Sequence, residues 1–419
     1  MIESDQMTGT HVRQGGESGM PRITAVETIR TPLQPNVTLV VLHDDAGQSG
    51  LGETFYGSSS VEAYIHDVAV PLLAGNKAPT SPSSTSRLLS GYVGYSGSGS
   101  EIRGNSAIDI ALWDLLAKRA SMPLRELLGG PTRERISTYN TCAGNDYVNA
   151  QSRQSSTNWG IGSGAGKRYE DLEAFLTRPG ELAKELLDEG YTGMKVWPFD
   201  LAAEASSGDH KTSLDFGLRV LGEIRDTVGD AIDLYLELHS LWTLRGAERL
   251  VRALDSFDLA WVEDPLRADH AHALHSLKQS TSIPIAVGES IGGGLSPYRS
   301  LLESRSIDIA IVDLGWSGGI TAGLKSASIA EQYGIPIAPH DCTGPVSLAV
   351  ATHFVTSIPN GYVQEVSRAF YHGWYQDIAS GLPEITDGWI TPAASPGHGV
   401  VLLDEFLAST STIRRISHF

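Results

Sequence analysis

From about residue 136 to about residue 366 the chain alternates short apolar runs with amphipathic stretches, and this rhythm limits its possible folds more than any other feature. The runs are STYNTCA, YTGMKVW, DLYLELH, LAWVED, IPIAVGE, IDIAIVD, IPIAPH and YVQEV, eight in all. Between them lie stretches with apolar residues every three or four positions, such as Asp215 to Val228, Leu244 to Leu254 and Ile320 to Tyr333. A short apolar run bounded by turn residues reads as a buried strand and a 3.6-residue period as a helix, so the repeating unit is βα. Close to eight such units predict a closed (β/α) barrel in preference to an open doubly wound sheet.

Upstream, ITAVETIRTPL, NVTLVVLHDDAG and SGLGETFYG read as an antiparallel meander, punctuated by Pro, Asn and Asp-Asp-Ala-Gly turn signals. Helices are predicted over Ser59 to Leu73 and over Asn105 to Leu128, the second stopping at Gly129-Gly130-Pro131. Strands followed by helices make an α+β module. The expected division is a polar extension at 1–21, the α+β module at 22–135, the barrel at 136–370, and a C-terminal segment at 371–419 that packs back on the α+β module. Residues 1–21 lack the apolar core of a signal peptide. Two Ser/Gly-rich stretches, 94–100 and 151–167, read as loops. The second follows the first barrel strand, so it lies at the face where barrel active sites form, either as a lid or as a tolerated surface insertion.

Charge narrows the partners. The 419 residues carry 31 Lys and Arg against 49 Asp and Glu, a net charge of −18, which argues against nucleic acid because neutralising phosphates needs a basic surplus on one face. No apolar run approaches the roughly 20 residues that span a bilayer, and a cytoplasmic location is expected. Cys142 and Cys342 are too few for a disulfide framework or a thiolate metal site.

The chemistry is written at the ends of the predicted strands. The third run ends in Glu237 and His239, the fourth in Glu263 and Asp264, the fifth in Glu289, the sixth in Asp313, the seventh in His340 and the eighth in Glu365. Side chains at the C-terminal ends of consecutive parallel strands converge on one mouth. Glu237, Glu263 and Glu289 are spaced by 26 residues in each case, one βα unit, so all three are expected around one point. A single strand-end glutamate is commonly a surface ion pair, but three in register call for a hard cation, and Mg²⁺ is the natural occupant. Lys195, ending the second run, is placed to hold a substrate carboxylate or to act as a base. Asp313 and His340 fall on neighbouring strands, where the carboxylate can fix the imidazole tautomer and raise its basicity. His270, His272 and His275 read as surface residues of a polar helix, and the glycines at 292–294 as a turn.

Taken together, SAIDIALWDLLAKRASMPLRELLGG from Ser106 to Gly130, then KVW, LELH, WVEDP, VGES, DLGWSGGIT and APH in order, resemble the enolase superfamily, specifically its mandelate racemase subgroup, over roughly residues 22 to 415. The resemblance implies an α/β fold, a modified (β/α)7β TIM-type barrel with an α+β capping domain. It implies one Mg²⁺ per subunit on Glu237, Glu263 and Glu289, and abstraction of a proton α to a carboxylate. It further implies a homo-oligomer, and a Glu365 that hydrogen-bonds the substrate carboxylate.

Two departures point within the subgroup. Its racemases carry Lys-x-Lys on the second strand, whereas this chain has Lys195-Val196-Trp197, which removes the second base and leaves Lys195 as an electrostatic partner of the substrate. Glu237-Leu238-His239 resembles the Asp-x-His of sugar-acid dehydratases related to galactonate and mannonate dehydratase, where the histidine protonates the departing hydroxide. The implied reaction is dehydration of a sugar acid, an aldonate or aldarate of about six carbons, to a 2-keto-3-deoxy acid. His340 with Asp313 is then the base and His239 the acid, with Trp197, Trp316 and Pro198 walling the pocket. The competing readings are a racemase, epimerase or cycloisomerase on the same scaffold, and a non-catalytic sugar-acid binding protein. Distal hydroxyls are expected to be read by the loops around Gly52 to Ser60 and 142–167.

Overall fold

A computed structural model describes residues 21–75, 80–89, 97–163, 168–291 and 295–419. Residues 1–20, part of each Ser/Gly-rich stretch (94–96 and 164–167) and the glycines at 292–294 lie outside the described residues. The meander is present as β1 (Ile23–Thr31), β2 (Gln34–Asp44) and β3 (Ser49–Phe55), and the C-terminal strand Ile413–His418 adds antiparallel to β1 at the sheet edge. The long helix Ser100–Arg119 lies on β3, so close that a Cβ on Gly52 would stand 1.9 Å from the Ala107 carbonyl oxygen. The single helix expected as far as Leu128 is in fact two. It breaks after Arg119 and restarts as Leu124–Leu127, because Pro123 cannot continue a helix and restricts the residue before it.

All eight apolar runs are strands: β4 (Ile136–Thr141), β5 (Gly193–Val196), β6 (Asp233–Glu237), β7 (Trp261–Glu263), β8 (Ile285–Val287), β9 (Ile309–Val312), β10 (Ile337–Pro339) and β11 (Gln364–Val366). Neighbours from β4 to β10 pair in parallel, β11 pairs with β4, and the Ile337 to Gly361 bridge closes the ring. The fold is a (β/α)7β barrel with an α+β capping domain. Among the described residues no helix is long and apolar enough to cross a membrane.

Strand alternation sorts the barrel into two shells. Residues such as Met194, Leu234, Leu236 and Val262 face the outer helices, while Tyr139, Tyr235, Trp261, Ala286, Ile311, Ala338 and Val363 pack inside. The three inner aromatics pack with ring centroids 4.2 to 5.5 Å apart and form a solid floor. Two residues further along each strand the same inward face becomes polar, giving Thr141, Glu237, Glu263, Asp313, His340 and Glu365.

The cap is fixed to the barrel by buried carboxyls seated on helix N-termini. Glu53 accepts from the amides of Val346 (3.1 Å) and Ser347 (3.2 Å) at the start of helix Pro345–Ser357. Asp109 accepts from the Thr321 amide (2.9 Å) and hydroxyl (2.6 Å) in the first turn of helix Gly319–Gln332. The unpaired amides and dipole of a helix start favour an acceptor there. These two helices follow β10 and β9, the strands that carry His340 and Asp313. Burial pushes both carboxyls up to about 7. Between its usual 3.8 and about 7, therefore, Asp109 ionises in the unfolded chain but stays protonated in the native one, and stability falls as pH rises. Asp109→Asn is expected to gain on the wild type by up to about 1.4 kcal/mol for each pH unit across that window. Urea unfolding midpoints of both proteins from pH 4.5 to 7 measure this, and parallel profiles would show that Asp109 does not titrate between the states.

Candidate active site

Six of the eight residues singled out in the sequence line one cavity of about 280 Å³: Lys195, Glu237, His239, Glu289, His340 and Glu365. Glu263 lies beneath it, fully buried, and Asp313 stands behind His340.

Ligand atoms of Glu237, Glu263 and Glu289 lie within 4.8 Å of one another, the one such group among the described residues. Each is held differently. Glu237 Oε1 accepts from the amides of Leu238 (2.9 Å) and His239 (2.6 Å), while its Oε2 is buried without a hydrogen bond. Glu263 takes the indole N–H of the floor residue Trp261 at 2.8 Å on Oε2 and the Lys195 ammonium at 3.0 Å on Oε1. Glu289 Oε2 lies 3.3 Å from His340 Nε2. Burial pushes Glu263 and Glu289 up, and each also feels the repulsion of Glu237. Three carboxylates, two buried and one half-buried, with one buried oxygen lacking a hydrogen bond and no soft donor among them, fit a hard divalent cation.

Glu289 reaches this group by a device the spacing does not reveal. Glu237 and Glu263 pair directly across β6 and β7, but Glu263 pairs with Ala286, so Glu289 stands three positions further up. Alternation from the inward Ala286 would turn residue 289 outward. Gly288, at φ +148°, breaks the alternation, and a Cβ there would lie 2.2 Å from the Ile311 carbonyl oxygen. Gly288→Ala is expected to misplace Glu289 and weaken Mg²⁺ binding in a calorimetric titration; wild-type affinity would show the bend to be dispensable.

The Lys195 ammonium sits 2.8 Å from Glu365 and 3.7 Å from Glu237 as well as against Glu263. Burial opposes its charge, yet these carboxylates together hold it well above the usual range, so it stays an ammonium. Each histidine has its own carboxylate. His340 Nδ1 lies 2.8 Å from Asp313 Oδ2 and His239 Nδ1 2.6 Å from Asp200 Oδ2. Burial disfavours both imidazolium forms. Asp200 and Glu237 nevertheless push His239 up to about 10, and Glu289 with Asp313 holds His340 well above its ordinary range. A cation on the carboxylates would cancel the pull of Glu289 on His340. His239 follows β6 and His340 follows β10, four strands away in a ring of eight, so they face each other across the mouth.

Several site residues were not legible in the sequence. Asp200 begins the helix Asp200–Ser206, five residues after Lys195, where a strand-to-helix turn at the mouth was the available signal. Gln154, from the 151–167 stretch, lies 3.2 Å from His239 Nε2 and hydrogen-bonds the Tyr147 hydroxyl, so that stretch contributes to the site directly. Tyr56, Ser98 and Arg103 come from the cap. Trp197 and Trp316 line the cavity, as does Cys342, while Pro198 is not among its described lining residues. Burial pushes the Cys342 thiol well up, and with Asp313 already on His340 it has no activating base.

A barrel of this kind, with an acidic triad at its mouth and an α+β cap above, defines the class of the protein as an enolase-type barrel. Comparison with known proteins refines the class. Residues 179–406 match the enolase C-terminal domain-like model, and residues 7–129 match the mandelate racemase / muconate lactonizing enzyme N-terminal domain model. The chain belongs to the mandelate racemase / muconate lactonizing enzyme family of the enolase superfamily. It is 29% identical to a D-galactonate dehydratase family member, ManD, from Chromohalobacter salexigens, over 94% of this chain and 95% of that protein. It is 27% identical to a D-galactonate dehydratase from Xanthomonas euvesicatoria pv. vesicatoria, over 90% of this chain and 91% of that one. Among solved structures, an enolase of the mandelate racemase subgroup from Agrobacterium tumefaciens superposes with a TM-score of 0.82 at 36% identity, covering 95% of this chain and 99% of that one.

Proposed function

We propose that the protein is a Mg²⁺-dependent hydro-lyase that dehydrates a sugar acid, an aldonate or aldarate, to a 2-keto-3-deoxy acid. The observation that carries this reading is the pair of carboxylate-backed imidazoles on opposite sides of the carboxylate triad. Relatives named as D-galactonate dehydratases support the same reaction class. Mg²⁺, held by Glu237, Glu263 and Glu289, would supply positive charge to the substrate carboxylate as the α-proton leaves.

Lys195 and Glu365 orient that carboxylate from the β5 and β11 side. His340 Nε2 takes the C2 proton, and Asp313 on Nδ1 fixes the tautomer and stabilises the imidazolium that forms. His239, charged through Asp200, gives its Nε2 proton to the C3 hydroxyl, which leaves as water on the opposite face. The enol that results becomes the 2-keto acid on reprotonation at C3. Lys195 remains an ammonium among three carboxylates and makes a poor second base, which weighs against a two-base racemase. The test is a screen of aldonic and aldaric acids with Mg²⁺, reading 2-keto acid as its semicarbazone and C2 exchange in D₂O. Exchange without keto acid would replace the hydro-lyase by an isomerase, and neither signal with any acid would leave a binding protein.

A further inference from the structure

Arg103 is a cavity residue for which the proton chemistry has no use. It lies in the first turn of helix Ser100–Arg119 and enters the cavity from the cap side. Its guanidinium stacks over Trp316 at 4.7 Å from the ring centroid and over Tyr56 at 5.7 Å. Nη1 donates to the Phe55 carbonyl at 3.1 Å. Among the described residues no carboxylate comes within ion-pair distance of it. The nearby acids are already engaged, Asp313 by His340 and Glu289 by His340 and the triad. Burial lowers its pKa, the mark of a desolvated cation lacking a full counter-charge.

We propose that Arg103 makes the pocket selective for dicarboxylates, by seating the second, distal carboxylate of an aldarate. This rests on the sugar-acid reading above and narrows it. Trp316 also packs against His340, with centroids 4.8 Å apart, so one indole ring carries both the guanidinium and the proposed base. A chain whose C2 lies at His340 and whose C1 carboxylate lies at Lys195 extends its far end toward the cap. Stacking on two aromatic faces fixes the guanidinium plane, and its remaining N–H edge matches a carboxylate in a two-pronged contact. An aldonate offers only a neutral terminal hydroxyl there and leaves the half-buried cation without its counter-ion.

The experiment uses the full-length protein with Mg²⁺ and four aldarates (galactarate, glucarate, mannarate and altrarate) beside the corresponding aldonates and 6-phosphogluconate. Both kcat/KM for 2-keto acid formation and calorimetric affinity are measured for the wild type, Arg103→Lys and Arg103→Met. At least one aldarate is expected to exceed its aldonate by about 100-fold, a ratio lost in Arg103→Met and partly kept in Arg103→Lys. The calorimetric arm separates the two claims. A diacid preference in binding that vanishes in Arg103→Met upholds the subsite even if no acid is turned over, in which case only the hydro-lyase reading falls. Equal or tighter binding of aldonates, a preference for 6-phosphogluconate over every aldarate, or an equal loss of both acid classes in Arg103→Met would overturn the proposal.

Discussion

Replacing His340 by asparagine is expected to lower turnover by about 10³-fold, within the usual range for loss of a general base, and to stop exchange of the C2 proton with solvent. The companion variant His239→Asn is expected to behave differently. It should still exchange the C2 proton in D₂O but yield little or no 2-keto acid, because C–H cleavage lies with one imidazole and C–O cleavage with the other. The contrast is the informative part, since general damage to the pocket would depress both signals together. If His340→Asn retains exchange while His239→Asn loses it, the two roles are reversed. Unchanged exchange in both variants would remove the histidines from the chemistry altogether.

Glu289→Gln is expected to weaken Mg²⁺ binding by more than the roughly 10- to 100-fold that follows loss of a mere outer-shell partner. The substitution keeps the shape of the side chain and removes one of three negative charges. Glu289 is not among the groups that touch the Lys195 ammonium, so that contact set is preserved. Without metal the variant should be no less stable than the wild type, because it relieves the repulsion between Glu289 and Glu237 within the cluster. Calorimetric Mg²⁺ titration and thermal unfolding with and without Mg²⁺ measure the two effects. A variant that binds Mg²⁺ like the wild type would exclude Glu289 as a ligand.

The sequence carried most of the fold because βα periodicity and strand-end polarity are local signals. Seven inward polar positions, Thr141, Lys195, Glu237, Glu263, Asp313, His340 and Glu365, obey simple alternation with the floor residues beneath them. Glu289 does not, and its equal spacing from Glu263 conceals an unequal register that Gly288 corrects. What stayed illegible came from elsewhere in the chain. Gln154 meets His239 across 85 residues, and Arg103 arrives from another domain. No periodicity reports such contacts, since loops and caps are positioned by tertiary packing and not by their own pattern. The early end of the Ser100–Arg119 helix is the opposite case, where Pro123 was visible and its local rule outweighed a continuing apolar stripe.

The anchoring of Glu53 and Asp109 has a consequence for traffic. A cap tied through buried carboxyls to the helices that follow β9 and β10 cannot swing aside as a rigid door without exposing both helix starts. Substrate entry and product departure are therefore expected at the rim of the cavity, whose lining includes Ser98 and Gln154. The pace of release is then a property of short surface segments, free to change in evolution without disturbing the reacting groups below.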